Sequence, residues 1–200
     1  MNACAYPLDV LPRDKQLAYD LQRSLIHECG HLIVGDHVGV INSFADFWLY
    51  EDVDPVKERL VGGQCRCFPP LGGRSNQLMG VAGIVAEGLA DEEIDGEYFF
   101  CSGSLLDYID GEPNAMSATD LEAAGEIDEE LLDECADVIQ RRWPDLIAEA
   151  LHYLGQFEKR YADDDDVVAA ASSVRVRLEG LASRFQMLDG ALNAIRSSHS

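Results

Sequence analysis

Apolar residues recur at helical spacing along most of this chain and cluster without that period in only two short stretches. Leu17, Ala18, Leu21, Leu25, Cys29 and Leu32 fall on one side of a helical wheel. They predict a half-buried helix from residue 15 to about 38, capped by Asp14 and stopped by Gly39. Leu78, Val81, Ala82, Val85 and Leu89 predict a second helix over 76–90. Its small residues Gly80, Ala82, Gly83 and Ala86 would let it pack tightly on the first. Gly30, inside the first helix, costs about 1 kcal/mol relative to alanine, which also suggests close approach by a neighbour.

Between these helices, residues 40–50 and 59–68 read as strands, aromatic and β-branched side chains dominating the first, and predict an antiparallel pair. The polar run 51–55 would separate them, and Gly62-Gly63 would form a bulge or bend. Residues 69–73 read as a loop, and 91–116 as an acidic, turn-rich segment with apolar islands at 98–101 and 105–109. Ser117 or Thr119 can cap a third helix with Asp120 in its first turn. Helical pattern resumes over 129–142, and Pro144 suits the first turn of a helix to about 160. After the aspartates at 163–166, residues 167–195 read as one or two amphipathic helices, suited to an appendage or a homo-oligomer contact. The expected fold is mainly α with a small antiparallel sheet (α+β), as a domain over 1–162 and a C-terminal helical appendage and tail over 163–200.

Charge narrows the functional classes. A net charge of -22 and a pI near 4.3 argue against nucleic acid or anionic membrane as partner. They permit a basic protein partner, or mimicry of DNA. No run of about 18 apolar residues suggests a membrane span, and the first residues lack a signal-peptide pattern, so a cytoplasmic protein with reduced thiols is expected. Cys65-x-Cys67 has no second pair at zinc-finger spacing and reads as two packed or semi-exposed thiols on one strand face. Cys29 reads as a small buried residue and His152 as a packing or surface residue.

The chemistry lies in His27-Glu28-Cys29-Gly30-His31, an H-E-x-x-H motif. On a helix, residues four apart share a face, so both imidazoles can reach one metal ion. Glu28 then stands where it can polarise a water rather than ligate. A catalytic zinc needs a third protein ligand. His37 follows His27 by ten residues, as in H-E-x-x-H-x-x-G-x-x-H, but the required glycine position holds Val34, with Gly35 one place late. If the helix continues, His37 points about 120° away from His31.

Three segments together resemble the peptidase domain of FtsH-type ATP-dependent zinc proteases. His27-Glu28-Cys29-Gly30-His31 resembles that family's H-E-A-G-H, and Gly83-Ile84-Val85-Ala86-Glu87 its G-x-x-A-E helix. Thr119-Asp120-Leu121-Glu122-Ala123-Ala124 resembles its N-D-L-x-x-A-T segment, whose aspartate is the third zinc ligand. The match in order and spacing runs from about residue 15 to 158, with no P-loop, ATPase module or membrane anchor. The resemblance is to small stand-alone relatives of the domain. It implies a zincin-like helical peptidase fold, Zn²⁺ on His27, His31 and Asp120, and Glu28 as base. Glu87 is implied as the carboxylate holding a ligand histidine. The expected function is zinc-dependent, ATP-independent hydrolysis of flexible or unfolded protein segments. The alternative is a non-catalytic zincin-like domain that binds a protein through its acidic surface.

Overall fold

Helix α1 (Arg13–His37) is the axis around which the other elements gather. The structure is a computed structural model and describes residues 12–54, 59–68, 72–91 and 100–198. Within it α1 is not half-buried: every residue from 28 to 35 is buried, because helices and strands cover it on several sides. Pro12, rather than Asp14, holds the N-cap position. Asp14 sits instead in the first turn, where its charge complements the helix dipole. The helix continues through His37, and Gly39 then turns the chain with φ 86°, a conformation that favours glycine.

Strands β1 (Asn42–Asp54) and β2 (Arg59–Phe68) pair antiparallel. β1 runs on through the stretch expected to break it, with an irregular register between Leu49 and Asp54. Gly62 and Gly63 form no bulge; they pair regularly with Trp48 and Phe47. Their smallness serves clearance: an added Cβ would lie 2.5 Å from the Trp48 ring at Gly62 and 2.7 Å from Glu28 at Gly63. A buried polar stripe on α1 faces this strand. Asp20 accepts a hydrogen bond from the Leu60 N–H at 2.7 Å, Ser24 donates to the Val61 carbonyl at 3.4 Å, and Glu28 lies along Gly63. Residues four apart on one helix face thus dock the sheet.

Helix α2 (Arg74–Ala90) lies against α1 so closely that a Cβ at Gly30 would sit 2.6 Å from that of Ala86. The segment read as turn-rich contains a helix, α3 (Ser102–Gly111), whose Leu105, Leu106 and Ile109 pack on the core. Three apolar positions at helical spacing outweigh its acidic, glycine-containing composition. Then come α4 (Ala118–Ala124), α5 (Glu129–Arg141), α6 (Trp143–Arg160) and α7 (Asp165–Ser198). Pro144 occupies the first turn of α6 as expected. Val167, Ala170, Ala171, Val174, Leu178 and Leu181 of α7 are buried in the same hydrophobic core as α1 and α6. The first half of α7 is therefore packed into the helical body instead of hanging from it as an appendage. Residues 1–11, most of the loop at 69–73 and the start of the island at 98–101 lie outside the described residues. Among those described, no helix is long and apolar enough to cross a membrane.

Candidate metal centre

His27 and His31 lie one turn apart on α1 and turn their rings toward α2 and α4. Glycine clears the way. A Cβ at Gly83 would meet the His27 ring at 2.3 Å, so α2 can pass His27 only with glycine there. Likewise a Cβ at Gly80 would lie 2.3 Å from the Ala124 nitrogen and 2.7 Å from the Asp120 carbonyl oxygen, which brings α4 onto α2. Asn76 and Gln77 of α2 donate to the Ala123 and Ala124 carbonyls at 3.1 and 3.3 Å, satisfying the open end of α4. Asp120, in the first turn of this clamped helix, reaches the two histidines. Ser117 caps α4 through the Asp120 N–H at 3.1 Å and donates its hydroxyl to Asp120 Oδ2 at 2.7 Å.

Three donor atoms converge. Nε2 of His27 and Nε2 of His31 are 3.2 Å apart, and Asp120 oxygens lie 3.5 Å from the first and 3.7 Å from the second. Ligands at zinc–nitrogen distances in a tetrahedron are separated by about 3.3 Å. The far side of each ring is fixed: His27 Nδ1 donates to Glu87 Oε1 at 2.7 Å, and His31 Nδ1 to the Met79 carbonyl at 2.8 Å. Both partners only accept, so each ring carries its proton at Nδ1 and offers Nε2 as a lone pair. Two lone pairs and a carboxylate facing one point call for a cation there. The donor set, two imidazoles and one carboxylate, is one that zinc takes with a position left open. Among the described residues, His27, His31 and Asp120 are the one group of three or more such side chains placed to share an ion.

Without a metal, a proton plays the cation's part. Burial pulls the His27 pKa down, but Asp120, Glu87 and the charge of Glu28 outweigh it and push it up to about 10. Burial and the His27 charge hold the His31 pKa below its ordinary value. Burial raises the Asp120 carboxyl, yet the hydrogen bond from His27, the charges of both histidines and Ser117 bring it down to about 2. Glu87 is likewise held below its usual range against burial, by His27 and Arg23.

Glu28 is 8% exposed and is not one of the three convergent donors; its side chain runs along Gly63 of β2. His37 is exposed at the last residue of α1 and is not part of the group, since the helix does not break before it. His152 is exposed on α6 and pairs with Gln156, while Cys29 is fully buried. Sequence reasoning missed Arg23, whose guanidinium donates to Glu87 Oε2 and completes a chain from Arg23 through Glu87 to His27. Its signal was its place one turn before His27 on the same face. Nothing in the sequence pointed to the Met79 carbonyl, which depends on how α2 lies against α1. In comparison with known proteins, the chain matches no family model, no curated protein and no solved structure.

Proposed function

We propose that this protein is a zinc-dependent metallopeptidase of zincin-like type, related to the stand-alone peptidase domains that its three segments resemble. The observation that carries the reading is the convergence of His27 Nε2, His31 Nε2 and Asp120 at tetrahedral ligand spacing, with both Nδ1 protons tied elsewhere. His27, His31 and Asp120 would hold the zinc, which would supply a Lewis acid for a peptide carbonyl and a water acidic enough to react near neutral pH. Glu28 accepts the proton of the attacking water on its carboxylate and delivers it to the leaving amine. Glu87, braced by Arg23, keeps His27 in the tautomer that offers Nε2, and the Met79 carbonyl does so for His31. Ser117 fixes the rotamer of Asp120. The substrates in this reading are flexible tails or unfolded segments of proteins.

Glu28→Gln separates binding from chemistry. The variant is expected to keep its zinc while hydrolysis of an unfolded protein falls by about 10²–10⁴-fold. Undiminished cleavage by this variant would overturn the mechanism. Zinc-loaded wild type that cleaves nothing would instead favour the non-catalytic, partner-binding domain.

A further inference from the structure

We propose that Cys65 and Cys67 form a peroxide-reactive dithiol that closes reversibly to a disulfide. The two residues stand at i and i+2 on β2, so their side chains leave the same face of the strand. Their sulfurs are 3.8 Å apart, in direct contact, and both residues are part-exposed. The other two cysteines placed in the interior, Cys29 and Cys135, are fully buried. Cys101 is part-exposed and stands at the N-cap of α3.

The hydrogen bond between the two sulfurs holds the Cys67 pKa below its ordinary value despite partial burial and, together with burial, pushes the Cys65 thiol up, which assigns Cys67 as the nucleophile. The Cys67 thiolate attacks one peroxide oxygen, breaking the O–O bond; it becomes a sulfenic acid, and the leaving hydroxide takes a proton to form water. The Cys65 sulfur then attacks the Cys67 sulfur, its proton leaves with the hydroxyl as a second water, and the S–S bond forms. Two thiols lose two electrons and one hydrogen peroxide gains them. Joining adjacent same-face positions requires β2 to bend locally away from its pairing with Ser43 and Ala45. Such a bond belongs with labile disulfides that a thiol reductant reopens, not with structural ones. The chemistry stands apart from the peptidase reading, because neither sulfur belongs to the convergent donor group.

Arg66 lies between the two cysteines and makes the test direct. The full chain, as purified, is treated with limiting hydrogen peroxide, blocked with an alkylating agent and digested with trypsin without reductant. The expected result is a joined pair of peptides, residues 60–66 and 67–74, that dithiothreitol separates. Cys67→Ser should slow peroxide-dependent thiol loss by about tenfold or more, whereas Cys65→Ser should leave a trappable sulfenic acid at Cys67. Oxidation of Cys101 or Cys4 while Cys65 and Cys67 stay alkylatable would overturn the proposal. So would a Cys29–Cys65 bond.

Discussion

Glu87 does its work through another residue: it holds the His27 proton at Nδ1, while Arg23 neutralises its charge in a part-buried setting. Partners of this kind are commonly worth 10–100-fold in metal affinity. Glu87→Gln is therefore expected to weaken zinc binding by about that factor in a chelator competition, with the fold retained; unchanged affinity would remove Glu87 from the site. The protonation state makes a second prediction. With a pKa of about 10, His27 carries an extra proton at neutral pH in the metal-free protein, whereas His31 and Asp120, both shifted down, do not. Zinc must displace that proton. Affinity should thus rise with pH, about tenfold per unit, until it levels off near the His27 pKa of about 10. Calorimetry at pH 7 in buffers of differing ionisation heat should find about one proton released per ion. At this scale the sequence was legible where spacing sufficed, as for the shared face of His27 and His31. Arg23 and Met79 were not, because their roles depend on which α2 atoms face α1.

Helix pairing was foreseeable from small residues, but what each one clears was not. Gly30 admits α2, Gly83 admits the His27 ring, and Gly80 admits α4. A methyl group at Gly83 would have to displace that ring or the helix, since the gap is 2.3 Å. Gly83→Ala should cost about 1–3 kcal/mol in unfolding experiments and also weaken zinc binding; an unaltered metal affinity would show that the helices yield there without moving His27. The strands show the limit of local reading. Gly62-Gly63 reads as a bulge from composition, yet its cause is nonlocal, in Trp48 across the ladder and Glu28 on α1. The stripe Asp20, Ser24 and Glu28 was similarly hidden, because polar residues at helical spacing read as a solvated face until β2 is seen against them.

Across the whole molecule, the mainly helical class and small antiparallel sheet were legible from periodicity, whereas the standing of the C-terminal segment was not. The aspartates at 163–166 look like a boundary, but an amphipathic helix after them can fold back as readily as project. It folds back, with Val174 and Leu178 fully buried beside α1 and α6. Leu178→Ala should accordingly destabilise the whole protein by about 2–5 kcal/mol in a single cooperative transition. A separate transition for the C-terminal helix would contradict that packing. The site depends on this body in turn: α1 presents the histidines, α2 their anchors and α4 the carboxylate, so three elements distant in sequence must all dock before the donors meet.

The most direct measurement of the account is zinc stoichiometry and affinity, by metal analysis and chelator competition, for the wild type, Asp120→Asn and His37→Ala. The wild type and His37→Ala should each hold one zinc with equal affinity, and Asp120→Asn should bind at least about 100-fold more weakly. Loss of zinc from His37→Ala with retention by Asp120→Asn, or no zinc bound by the wild type, would contradict it.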